Sequence, residues 1–120
     1  MEVKYKINVA KDFSAYPAGR FRTEGNESGE AFLLDHILGK LLLAISENAL
    51  LEIDLTGMNG YPSSFISGSF GKISYEIGKV IGQAKASALL LKHLKLKCDD
   101  SVARIKAIED EINKPVTIKS

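Results

Sequence analysis

Every stretch of this chain that reads as a β-strand has one polar face, and this restricts the folds open to it. Val3-Lys4-Tyr5-Lys6-Ile7-Asn8-Val9, Leu51-Glu52-Ile53-Asp54-Leu55 and His93-Leu94-Lys95-Leu96-Lys97-Cys98 each alternate apolar and polar residues. Successive side chains on a strand point to opposite faces, so each segment has one face to bury and one to leave in water. A sheet covered on both sides shows continuous apolar runs instead. Helices are therefore expected mainly on one face of a small sheet.

Between the strands the period lengthens. Leu34, Leu38, Leu41 and Ile45 recur at helical spacing from Glu30 to about Asn48, with Ser28 as the N-cap and Glu30 supplying negative charge to the first turn. A central helix starts near Pro62 or Ser63 and carries Ile66, Phe70, Ile73, Ile77 and Val80/Ile81. Ala86 to Leu91 reads as a short helix. Asp99-Asp100-Ser101 introduces a last one that buries Val102, Ile105, Ile108 and Ile112 and stops before Pro115. Arg20-Phe21-Arg22-Thr23-Glu24 also alternates and predicts a short strand beside the first, and Val116 and Ile118 predict a final one. The expected fold is α/β: a small mixed sheet of about four or five strands, order β-β-α-β-α-β-α, in a single domain over residues 1–120.

Charge and cysteine usage exclude several functions. Sixteen Lys+Arg against fifteen Asp+Glu leave a net charge of +1, so nothing draws the chain to nucleic acid or anionic lipid. No apolar run approaches the roughly 20 residues of a membrane helix, and Met1-Glu2-Val3-Lys4 has no apolar leader. One cysteine and two histidines leave no disulfide and no zinc cluster. The expectation is a cytoplasmic domain without metal or cofactor, and with neither nucleic acid nor membrane as partner. No acid–base pair or nucleophilic triad is visible, so an enzyme is not expected.

Three regions could carry function. Ser63 and Ser64 stand where the central helix begins; a hydroxyl there either caps the helix or takes a phosphate beside unpaired N–H groups. On that helix, Ser64, Gly71, Tyr75, Gly78 and Gly82 gather opposite the apolar stripe, with Ser67 and Gly68 at the edges. Interior glycines cost about 1 kcal/mol each against alanine. A small uncharged stripe of this kind suits the close approach of a partner backbone, and Tyr61, Ser67, Gly68, Gly71, Tyr75 and Gly78 are its contact candidates. A broken helix, or cover from another segment of the chain, would account for the stripe equally.

The third region runs from Asp12 to Glu30. Arg20 and Arg22, with Ser28 and Gly29 at a helix start and Asp12 and Glu30 nearby, could hold an anion. Alternatively Asp12 and Arg20 are structural salt-bridge partners. Gly19, Gly25 and Gly29 do not fit a P-loop or a dinucleotide fingerprint. His36 lies off the apolar stripe and reads as a solvated histidine, His93 falls on the polar face or at a strand start, and Cys98 reads as a small buried hydrophobe.

The order of elements, with a strand, a glycine turn, two serines and a helix at the centre, resembles the STAS domain of sulfate transporters and anti-sigma factor antagonists. More closely, the chain is similar to a bacterial STAS-like family of unknown function. The resemblance is carried by Val9-Ala10-Lys11-Asp12-Phe13-Ser14, Pro17-x-Gly19-Arg20, Gly25-x-x-Ser28-Gly29-Glu30-x-Phe32, Asp54-Leu55-x-Gly57-x-x-Gly60-Tyr61-x-Ser63-Ser64-Phe65, and Phe70-Gly71. It implies a regulatory module whose partner is a histidine-kinase-like ATPase that phosphorylates the serine at the start of the central helix. That serine corresponds to Ser64, or to Ser63. The usual Asp-Ser-Ser-Gly-Leu reads Pro62-Ser63-Ser64-Phe65-Ile66 here, without the acidic residue or the glycine. Two other readings stand beside this one: a small nucleotide- or phosphate-binding domain or enzyme using Asp12, Arg20, Glu30 and Ser64, and weak self-association through the wet sheet face or the Val116-Thr117-Ile118 edge.

Overall fold

Strand β1 (Val3–Asn8) turns Ile7 toward the interior and leaves Lys4 and Lys6 in water, as the alternation dictates. In the computed structural model, which describes residues 1–113, it pairs in parallel with β2 (Leu50–Asp54). Strand β2 pairs in parallel with β3 (Leu94–Lys97), giving the order β1-β2-β3. Parallel neighbours need crossover connections, and these are right-handed in nearly all proteins. Two steps in one direction across the sheet therefore lay both sets of helices on the same face. The uncovered face shows Lys6, Glu52 and Lys95 in one row and Asn8, Asp54 and Lys97 in the next. Lys95 and Glu52 form an ion pair across it at 3.6 Å.

The sheet is thus parallel rather than mixed, and three strands are seen among the described residues. The strand expected at Arg20–Glu24 does not form. Glu24 reaches back instead, and its carboxylate accepts the N–H groups of Arg20 (3.0 Å) and Phe21 (2.9 Å), so Arg22–Glu24 closes into a 3-10 turn. The N–H groups a strand would have offered to β1 are spent locally. Val116, Thr117 and Ile118 lie outside the described residues.

The first crossover is one helical run made of α1 (Gly29–Phe32), a π-turn (Leu33–Ile37) and α2 (Leu38–Ser46). The wide turn inserts a residue and rotates the apolar stripe. Phe32, Leu33, Ile37, Leu41 and Ala44 are buried, while Leu34 is exposed and Leu38 and Ile45 are half-buried. Another π-turn, Val9–Phe13, follows β1 and delivers Phe13 against Phe32 (5.0 Å between ring centres) and Phe65 (6.1 Å). His36 joins this aromatic group, 5.3 Å from Phe13 and 5.8 Å from Phe32, and is half-buried rather than solvated.

The central helix is not continuous. It comprises α3 (Ser63–Gly68), a 3-10 turn (Phe70–Lys72) and α4 (Ile73–Ile81). Ser69 breaks it: its backbone leaves the helical region (φ −105°, ψ −83°), and its buried hydroxyl donates back to the Phe65 carbonyl at 2.7 Å. That back-bond competes with the helix ladder. The break lets Phe65 and Phe70 both reach the core, with Ile73 and Ile77 following, whereas Val80 is exposed. Gly82, at φ +95°, turns the chain into α5 (Gln83–Leu89).

The last helix, α6 (Val102–Ile112), is capped by Ser101, whose hydroxyl accepts from the Arg104 N–H. It buries Ile108 and Ile112 with Ile105 beside them; Val102, at the first turn, is 83% exposed and stays out of the core. His93 is buried just ahead of β3, its Nδ1 2.8 Å from the Ala49 carbonyl that it donates to. The core is one continuous cluster, in which Ile7, Ile53, Phe32, Phe65, Phe70, Ile77 and Ile108 are all essentially inaccessible. Among the described residues no helix is long and apolar enough to cross a membrane.

Candidate functional site

Strand β2 ends at Asp54, and the chain must turn sharply to begin α3. The Asp54 carboxylate accepts the Thr56 N–H at 3.0 Å, and Gly57 takes a positive φ of +88°. The far side of the turn is held from the segment between β3 (Leu94–Lys97) and α6 (Val102–Ile112). Thr56 accepts the Asp99 N–H at its Oγ1 (2.8 Å), and the Asp100 carboxylate accepts the Gly57 N–H (3.2 Å). The same Asp100 carboxylate accepts the Cys98 thiol (3.0 Å) and pairs with Arg104 (3.4 Å).

Arg104 also lies over the Tyr61 ring, 4.3 Å from its centre, and the Tyr61 hydroxyl donates to the Leu55 carbonyl at 2.7 Å. In the sequence Asp100 reads only as part of the helix start Asp99-Asp100-Ser101, and Arg104 carries no signal of this role. Their contacts with Gly57 and Tyr61 span 43 positions, and no local spacing reports such a contact.

Charge follows from this geometry. The Asp100 carboxyl is held below the usual range by the thiol, the Gly57 N–H and Arg104. Burial works against ionising Asp54, but bonds from Thr56, nearby Lys97 and the Asn8 side chain outweigh it and lower its pKa. Burial pushes the Tyr61 phenol well above its ordinary value and raises the Cys98 thiol, which Asp100 raises further. Cys98 is buried and unactivated, as a small hydrophobe in the core would be.

Ser63 and Ser64 sit at the end of this pinned turn. Neither caps α3: the N-cap is Pro62, and no side chain bonds the free N–H groups there. The other two serine starts differ. Ser28 accepts the Ala31 N–H and Ser101 the Arg104 N–H, each at 3.2 Å. Ser63 is exposed, Ser64 is half-buried, and neither hydroxyl has a hydrogen-bond partner among the described residues. The capping alternative for these two serines is therefore not what the structure shows.

The small-residue stripe has a different cause from a free docking face. A Cβ on Gly68 would lie 2.5 Å from the Arg20 carbonyl oxygen, one on Gly71 2.9 Å from the Glu111 carboxylate, and one on Gly78 2.3 Å from the Gln83 amide. At Gly68 the close approach is used by this chain's own backbone, at Gly71 and Gly78 the neighbours are the ends of flexible side chains, and the break at Ser69 divides the stripe in two. Tyr75 is half-buried with Lys79 over its ring at 4.6 Å, and Ser67 and Tyr61 are half-buried.

Most of the Asp12–Glu30 set is likewise spent on structure. Asp12 accepts the Asn8 N–H (2.7 Å) and closes the π-turn; it makes no salt bridge with Arg20 among the described residues. The Arg22 guanidinium pairs with Asp35 at 2.8 Å, and Glu30 accepts the Arg22 N–H at 2.7 Å. Ser28 is a buried cap, and Gly29 is pressed against α3, where a Cβ would lie 2.4 Å from the Phe65 carbonyl. Arg20 is the exception: its guanidinium has no hydrogen bond or ion pair among the described residues. Among the described residues no three His, Cys, Asp or Glu side chains come together as a metal site.

No curated protein and no solved structure matches the chain. A family model described as a STAS-like domain of unknown function (DUF4325) matches residues 33–97, from the π-turn through β2, the Ser63–Ser64 turn and the central helices to the end of β3. The strand, glycine turn, two serines and helix described above fall inside that match, and the chain belongs to this STAS-like family.

Proposed function

We propose that this chain is a non-catalytic regulatory module that binds a protein partner through the turn from Thr56 to Ser64 and the start of α3. Ser64, or Ser63, is its switch residue. The observation that carries the reading is the contrast among helix-start serines: Ser28 and Ser101 spend their hydroxyls on caps, whereas Ser63 and Ser64 do not. A hydroxyl free of structural duty can change its charge without unfolding the helix it sits on. A phosphate adds roughly −1.5 to −2 charge at one point of the surface, enough to alter a docking contact by repulsion or by new hydrogen bonds.

The partner class implied by the family likeness is a histidine-kinase-like ATPase. The turn supports a recognition role because it is pinned from the segment between β3 and α6, so a partner meets a preorganised surface and little ordering has to be supplied on binding. The contact residues in this reading are Tyr61, Ser63, Ser64 and Ser67.

The test is capture from the native cell with the wild-type chain, Ser64→Ala and Ser64→Asp as baits. Wild type and Ser64→Ala should recover the same ATPase, and Ser64→Asp should lose it at least tenfold. Equal recovery by Ser64→Asp and by a bulky Ser63→Arg/Ser64→Arg pair would show that the turn is not the contact.

A further inference from the structure

We propose that Arg20, with the Ser64 and Ser67 hydroxyls, forms a binding site for a phosphoryl group presented by a second molecule. This goes beyond the switch reading, since Ser64 here is an unmodified hydrogen-bond donor. Arg20 is half-buried, and its backbone is fixed at three points. Its N–H donates to Glu24 (3.0 Å), its carbonyl accepts the Glu30 N–H (3.0 Å), and its Cα and Cγ lie 3.0 Å from where a Cβ on Gly68 would stand. Both Gly29 and Gly68 are needed for the loop to press this closely onto α3.

The guanidinium carried on that fixed backbone is unspent. Of the chain's three arginines, Arg22 pairs with Asp35, and Arg104 pairs with Asp100 and stacks on Tyr61. Arg20 has no hydrogen bond or ion pair to its side chain among the described residues. Glu24, the carboxylate that feels its charge, has already given an oxygen to two backbone N–H groups. No buried side-chain polar atom lacks a partner among the described residues, so the open guanidinium donors reach solvent.

Cβ atoms on a helix tilt toward its N-terminus, so whatever fills the Gly68 position lies over the preceding turn. Ser64 is on that turn, one turn before Gly68 on the same side of α3, and Ser67 flanks Gly68. Both serines are half-buried, and neither hydroxyl has a partner among the described residues. A five-donor guanidinium whose stem passes α3 at Gly68, together with two hydroxyls on the neighbouring turn that are able to donate, suits the three acceptor oxygens of a phosphoryl group.

The probes are inorganic phosphate and O-phosphoserine, titrated into the full-length 15N-labelled chain at constant ionic strength. Both should produce saturable amide shifts confined to residues 19–21 and 63–68. Arg20→Gln, which keeps the backbone contacts and Cγ, should weaken them at least tenfold with the rest of the spectrum unchanged, and Arg20→Lys should fall between. Tighter binding of O-phosphoserine identifies a phosphorylated side chain as the natural source, and equal binding identifies a free phosphate. Absence of saturation with both probes, or an affinity within twofold of wild type in Arg20→Gln, overturns the proposal.

Discussion

Gly68 and Ser64, four positions apart on α3, are opposite kinds of residue. Gly68 is fully committed: its missing Cβ is the space that the Arg20 backbone occupies, and the Arg20 carbonyl cannot retreat because it holds the Glu30 N–H. Gly68→Ala is therefore expected to lower stability by about 1–3 kcal/mol through overpacking, read as a lower denaturant midpoint at unchanged slope. Ser64 is uncommitted. Ser101→Ala should cost about 1 kcal/mol, as lost caps do, whereas Ser63→Ala and Ser64→Ala should stay within about 0.5 kcal/mol, as surface changes away from such features do. Equal losses at all three would show the Ser63 and Ser64 hydroxyls bonded after all.

Asp54 adds a pH dependence whose sign follows from its environment. Its folded pKa is depressed below the unfolded value near 4, so its contribution is present above that pH and lost as pH falls further. Asp54→Asn should be less stable at neutral pH and show a flatter loss of stability below about pH 4. A variant whose acid limb overlays wild type would contradict the assignment.

At the scale of elements, legibility tracked whether a signal was local. The strands were readable because alternation is a property of consecutive residues: Ile7, Val9, Leu51, Ile53 and Leu55 are buried, and Lys6, Lys95 and Lys97 are exposed. The caps at Ser28 and Ser101 were readable for the same reason. Helix phase was not. The π-turn at Leu33–Ile37 adds a residue per turn, and a 3.6-residue template assigns Leu34 to the core where Leu33 belongs. The Arg20–Glu24 alternation misled because one carboxylate, three and four residues away, competes for the N–H groups a strand needs.

The candidate site was legible in part. The Ser63–Ser64 turn was found from the glycine turn and the two serines ahead of an apolar helix, but the residues that pin it could not be. Asp100 and Arg104 act across 43 residues of separation to Gly57 and Tyr61. The glycine stripe was visible and its owner was not: spacing shows that close approach is allowed, and only the packed chain shows that Arg20, Glu111 and Gln83 make it.

At the scale of the molecule, the described residues form a small two-layer α/β unit, with helices packed on one face of a three-stranded parallel sheet. Strand order runs 1-2-3 without reversal, so the described residues contain no switch point of the kind that opens a ligand crevice in doubly wound sheets. What the fold offers instead is a turn at the carboxyl end of β2 pinned by Asp99, Asp100 and Arg104, with Ser63 and Ser64 hydroxyls that have no partner among the described residues.

Intact-mass analysis of the chain recovered from its native cell tests most directly whether the Ser63–Ser64 turn is a regulated contact. The predicted result is a fraction heavier by one phosphate, varying with growth condition and mapping to Ser63 or Ser64. A chain of unmodified mass under every condition, with both serines recovered unmodified in peptide maps, would contradict it.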